Sequence, residues 1–256
     1  TISFTRCLLA MIEPKERLII ALDVSSNKEV AAICDKIGDN AIFYKVGLQL
    51  FLAEGRSVIE LLKSRGLKVF LDLKLHDIPN QVAGACREVV KMGVDMTTIH
   101  TMGGVDMMRA AARAIKESAQ ELGVRPPILL GVTVLTSLND ERAGEIGIAN
   151  SIPEQVVNLA VLAKKSGLGG IVASPHEVSK IREKVGDDFV IVTPGIRSSS
   201  EDVQDQKRVM STGDAISAGS SYLVVGRPVL KASDPAAAAS KIIMEITGAE
   251  SKKIIF

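Results

Sequence analysis

Eight short apolar runs, each apolar on both faces and each followed by a longer segment of helical spacing, predict a parallel sheet covered by helices. Their number and the chain length match a closed (β/α)8 barrel of the TIM type, an α/β fold. A further observation weakens the open doubly wound sheet, the main alternative. The turn after the first run, Asp23-Val24-Ser25-Ser26-Asn27, lacks the Gly-x-Gly-x-x-Gly spacing that a dinucleotide fold places there.

The elements follow in order, each strand read from its apolar run and each helix from its periodicity. Leu18 to Asp23 is the first strand, with Asn27 to Ile37 as its helix; Ala41 to Val46 precedes a helix over Leu48 to Ser64. Lys68 to Asp72 leads to Asn80 to Met92, and Asp95 to His100 to Gly103 to Leu122. Ile128 to Thr133 pairs with Pro153 to Ser166, and Gly169 to Ala173 with Pro175 to Val185. Phe189 to Thr193 is followed by Thr212 to Ala218, and Tyr222 to Val225 by Pro235 to Thr247. No linker or low-complexity stretch divides them, so residues 13–256 read as one barrel domain. Residues 1–12 read as a loose N-terminal extension, slightly basic and apolar but too short, and without a cleavage site, for a secretory signal.

Composition narrows the function. The chain has 256 residues and is 46% hydrophobic, ample for a large core. Its 31 basic and 30 acidic residues leave a net charge of +1, which argues against broad attraction to nucleic acid or an anionic membrane. With no Trp and two Tyr there is no platform for stacking bases. No apolar run approaches the ~18 residues of a membrane span. Cys7, Cys34 and Cys86 are odd in number and far apart, which suggests neither a disulfide framework nor a zinc site and fits a reducing, cytoplasmic setting.

The densest chemistry is the run Asp72-Leu73-Lys74-Leu75-His76-Asp77, where an apolar strand ends. Asp72 and Lys74 are two apart, on one face of an extended chain, and Asp77 lies in the turn beyond. By itself such a run reads as a strand-end salt bridge. Barrel closure changes that reading, because the C-terminal ends of the strands converge on one rim. Asp23 ends the first strand and Lys45 sits near the end of the second, so an alternating Asp-Lys-Asp-Lys array faces the mouth, each carboxylate with a cation beside it.

The loops after strands seven and eight are the usual phosphate site of such barrels. Val192-Thr193-Pro194-Gly195-Ile196-Arg197 runs into a long polar stretch, 198–208, expected to act as a flap in which the Gln206 amide can donate to an oxyanion. Strand eight ends in Val225-Gly226-Arg227-Pro228; Gly226 permits close backbone approach and Arg227 can grip phosphate with two parallel hydrogen bonds. His76 and His100 lack metal-ligand spacing and are given structural roles, His100 as a hydrogen-bonding group at the fourth strand end; His176 is expected to face solvent. Met92, Met96, Met102, Met107 and Met108 read as core filling.

Six segments in order resemble the orotidine 5′-monophosphate decarboxylase family. They are Leu22-Asp23, Tyr44-Lys45-Val46-Gly47, Asp72 to Asn80, Thr193 to Arg197, Asp205 to Arg208 and Val225 to Pro228, spread over roughly residues 15–245. The resemblance implies removal of CO2 from orotidine 5′-monophosphate to give uridine 5′-monophosphate, the last step of UMP synthesis, without metal or other cofactor. It implies a homodimer in which Asp77 serves the partner's site. Lys74 would donate the proton, flanked by Asp72 and Asp77, with Lys45 completing the array and Asp23 joining Lys45 on the ribose hydroxyls. Thr136 would recognise the pyrimidine, Gln206 and Arg227 the phosphate, and Ile78 and Pro194 would line the apolar part of the pocket. Arg197, Gln81 and Gly226 complete the implied substrate-binding set. Gln81 stands where the family usually has Thr, which alters the expected contact to ribose across the subunit boundary.

Two other readings share the barrel. A Mg2+-dependent enediolate enzyme acting on a sugar phosphate also carries Asp-x-Lys-x-x-Asp, but its second strand is expected to end in a carboxylate, and the ammonium of Lys45 would repel the ion. A noncatalytic phosphate-ligand sensor would need no proton donor such as Lys74.

Overall fold

In the computed structural model, residues 12–196 and 210–254 are described. The strands are β1 (Leu18–Leu22), β2 (Phe43–Gly47), β3 (Lys68–Leu75), β4 (Met96–His100), β5 (Ile128–Val132), β6 (Gly170–Val172), β7 (Val190–Pro194) and β8 (Tyr222–Val225). Each pairs in parallel with the next, and β8 closes on β1 to complete the barrel. At the N-terminal rim the buried Arg17 reinforces this closure. Its guanidinium donates to the carbonyls of Ser220 and Ser221 at 2.8 and 2.9 Å and pairs with Glu250. No helix among the described residues is long and apolar enough to cross a membrane.

Alternation along the strands creates two layers of core. Ile19, Ala21, Phe43, Phe70, Met96, Leu130, Val190, Val192, Tyr222 and Val224 fill the barrel, while their sequence neighbours pack outward against the helices. This double burial is why the strands read as unbroken apolar runs. Ile12, from the expected extension, packs against the interior layer; the rest of that extension lies outside the described residues, as do Arg197, Gln206 and the 198–208 stretch.

The helices depart from expectation in four places. The segment Leu48 to Ser64 is two helices, Leu48–Glu54 and Arg56–Ser64, because Gly55 takes φ 58° and caps the first. A helix over Asp140–Glu145, capped by the Asn139 side chain, and another over Arg227–Leu230 were not anticipated. The last helix runs from Pro235 to Ile254, past Thr247. Among the methionines, Met96, Met107 and Met108 are buried as expected, but Met102 is 44% exposed, since it sits on a 3-10 turn (Thr101–Gly103) at the barrel rim.

β3 outruns its expected end at Asp72 and does so irregularly. Leu71 pairs with Thr97 and Leu75 with Ile99, so β3 spends four residues where β4 spends two. The surplus is a bulge, and at its crest Lys74 has φ 52°, the sole non-glycine residue with positive φ among the described residues.

Candidate active site

A cavity of about 530 Å³ opens at the C-terminal rim. Its apolar floor is Ala21, Phe70, Val172 and Val224, and its polar wall is Asp23, Lys45, Asp72 and Lys74. Each charge arrives from a strand end. Asp23 follows β1, Lys45 lies in β2 opposite Ala21, and Asp72 is the last regular residue of β3, opposite Gly47.

The four form a continuous line. Lys45 Nζ lies 3.9 Å from Asp23 Oδ1 and 3.6 Å from Asp72 Oδ2, and Lys74 Nζ donates to the same Asp72 oxygen at 2.9 Å. Asp72 is the deepest of the four: its side chain is 10% exposed, against 62% for Asp23 and 33% for Lys74 at the two ends. A carboxylate that deep is tolerable only because two ammoniums and a hydroxyl surround it. The expectation that Asp72 and Lys74 share a face holds in outcome, but the bulge rather than regular extended geometry brings them together.

The hydroxyl belongs to Thr98 on β4, a residue sequence reasoning missed. Thr98 Oγ1 donates to Asp72 Oδ1 at 2.9 Å and accepts from the Lys74 backbone N–H at 2.9 Å. One side chain thereby holds both the carboxylate and the crest of the bulge. Its position two before His100 on an inward face was the available signal.

Pro194, Gly195 and Ile196 after β7, Gly226, Arg227, Pro228 and Lys231 after β8, and Thr136 also line the cavity. A Cβ on Gly226 would stand 3.3 Å from Asp23 Oδ2 and 3.5 Å from the Ala21 Cβ, so the small residue lets the last strand end approach the first. Lys231 stands one helical turn beyond Arg227, a spacing that would have revealed it.

Asp77, Ile78 and Gln81 do not line this cavity. All three are exposed, Ile78 at 64%, on the turn entering the helix Pro79–Lys91. The Asp77 carboxylate accepts the Ile78 N–H at 2.6 Å.

His76 and His100 stack beside Lys74, ring centroids 5.3 Å apart at 29°. The hydrogen bond expected of His100 is not made at Nδ1, which is buried without a partner; the ring is held by stacking instead. Burial, then His76 and Lys74, push the His100 pKa down, with Asp72 opposing. His176 is exposed, as expected.

Comparison with known proteins adds an independent line. The family profile described as Orotidine 5'-phosphate decarboxylase / HUMPS family matches residues 16–242. The chain is 48% identical to the orotidine 5′-phosphate decarboxylase of Moorella thermoacetica, covering 91% of this chain and 92% of that protein. It is 45% identical to the Nostoc protein of the same name, covering 91% and 98% respectively. The crystal structure of orotidine 5′-phosphate decarboxylase from Lactobacillus acidophilus superposes with a TM-score of 0.80 at 39% identity, covering 90% of this chain and 99% of that one.

Proposed function

The chain belongs to the orotidine 5′-phosphate decarboxylase / HUMPS family, and we propose from that premise how its four-charge mouth works. The protein decarboxylates orotidine 5′-monophosphate to uridine 5′-monophosphate, the last step of UMP biosynthesis. The observation that carries the mechanism is the Asp72 carboxylate held between two ammoniums, at 2.9 Å from Lys74 and 3.6 Å from Lys45.

Arg227 grips the phosphate at one end of the cavity, and Gln206 and Arg197 join it. Asp23 and Lys45 take the ribose hydroxyls, and Thr136 reads the pyrimidine edge. C6 of the ring then lies over Lys74, with the substrate carboxylate against Asp72. The C6–carboxylate bond breaks, CO2 leaves, and the electron pair stays on C6 as a carbanion. Lys74 stabilises that charge as it develops and then delivers a proton to C6. Repulsion between Asp72 and the substrate carboxylate is relieved as CO2 departs. Phosphate binding, remote from C6, supplies the energy that holds the ring in this position.

Asp77 acts on a second protomer. The residue is exposed and does not line its own cavity, and it stands next to the exposed Ile78 and Gln81, which suits a turn that completes the neighbouring site of a homodimer. A cytoplasmic location follows from this biosynthetic role.

The test is the loss of orotidine 5′-monophosphate absorbance with purified protein in the presence of a chelator. Turnover is expected there; no turnover, or turnover only after Mg2+ is added, would remove the reading.

A further inference from the structure

β4 reaches β3 at two positions of one face. Thr98 and His100 are two apart on β4, and Ile99 between them packs outward among the helices. Thr98 bonds Asp72 and the Lys74 backbone, while His100 carries the ring of His76. The first contact precedes the crest of the bulge and the second follows it. Lys74 is bracketed between them, in a backbone region that costs an ordinary side chain about 1–2 kcal/mol and persists only when its surroundings over-determine it.

Thr98 thus has a task in the charged array, whereas the proposed chemistry uses neither histidine. Neither ring lines the cavity, and His100 leaves a buried Nδ1 unpartnered, an arrangement that calls for a reason. We infer that His100 is a positioning residue. Its ring is the platform on which His76 rests, and the stack fixes the end of β3 so that Lys74 keeps its aim at C6 and the turn bearing Asp77 keeps its outward course.

The groups that act on His100 are His76, Lys74 and Asp72. β5 sets uncharged Val132 beside it, and the following turn, Thr101-Met102-Gly103, carries no charge. Protonation of His100 is therefore opposed by its burial and by His76 and Lys74, with Asp72 acting the other way.

The inference rests on the decarboxylase reading for its kinetics but not for its geometry, and the experiment separates the two. The chain has three histidines, so imidazole proton resonances can be assigned with His76→Ala, His100→Phe and His176→Asn. In the protein without substrate, His100 is expected to titrate below the ordinary range and to move upward in His76→Ala; an unmoved titration would mean that the rings do not stack, and would overturn the inference. In steady-state kinetics, His100→Ala is expected to lower kcat on the order of tenfold to a hundredfold with little change in KM, as a misaimed Lys74 would. His100→Phe, which keeps a flat ring, should recover most of that loss and make the acid limb of the kcat profile shallower. A His100→Ala enzyme with wild-type kcat, or a Phe variant no better than Ala, would sink the positioning role even where the wild type turns over normally. A wild type that does not decarboxylate the substrate would fail the functional reading instead, leaving the titration to judge the stack.

Discussion

Lys74 reaches Asp72 Oδ2 at 2.9 Å from a left-handed backbone, φ 52°. The ion pair and the local strain therefore reside in one residue, and the two can be separated by substitution.

Replacing Lys74 with Ala should lower kcat by at least about a thousandfold, since the proton donor and the charge that stabilises the carbanion leave together. Near-normal kcat in single-turnover assays would show that another group is the acid.

Lys74→Gly should be equally inactive yet more stable than Lys74→Ala by about 1 kcal/mol, because glycine enters the left-handed region without a Cβ clash. Urea denaturation of the two variants measures the difference; equal midpoints would mean the bulge relaxes once the lysine is gone.

Thr98→Val keeps the shape but strands an Asp72 oxygen and the Lys74 N–H, both served by the Thr98 hydroxyl. A loss of about 1–3 kcal/mol in stability is expected, together with reduced kcat, and Thr98→Ser should restore both. Unchanged stability in the valine variant would show that these groups find other partners.

Arg227→Ala should raise KM roughly tenfold to a hundredfold, the worth of hydrogen bonds to a charged phosphate, with a smaller effect on chemistry. A pure kcat defect would place Arg227 elsewhere than on the phosphate.

Mixing inactive Asp72→Asn and Asp77→Asn proteins should restore about a quarter of wild-type activity, since half the dimers are mixed and each mixed dimer has one intact site. Failure to complement would count against sites shared between protomers.

Stability should also fall as pH drops below about 6.5, the ordinary histidine value from which that of His100 is lowered. The sign follows because the unfolded chain then binds a proton that folded His100 resists. The contribution is fully present above 6.5 and is lost on descent toward the lower folded value. Thermal midpoints measured between neutral and mildly acidic pH should fall more steeply for the wild type than for His100→Phe, which lacks the titrating ring; parallel slopes would show that His100 contributes nothing to the pH dependence.

Much of this was readable from sequence because burial and charge leave different marks. Strands covered on both faces read as apolar runs, and Asp23, Lys45, Asp72 and Lys74 stood out by interrupting three of them. Thr98 left no such mark, since threonine is an ordinary strand residue. The bulge depends on how β3 registers with β4, which neither segment encodes alone. The helix Arg227–Leu230 is too short for periodicity to reveal, and Gly55 broke a helix whose apolar pattern runs straight across it.

Closure of β8 on β1 pairs residues 18–20 with residues 223–225. During synthesis, then, Asp23, Lys45 and Asp72 leave the ribosome well before the wall bearing Gly226 and Arg227 is made. The nascent protein holds its reactive charges on an open sheet with unpaired edges, and the mouth is completed only when the far end of the chain returns to the near one. Pairing between such distant segments is intrinsically slow, and β8 is the strand whose return closes the mouth.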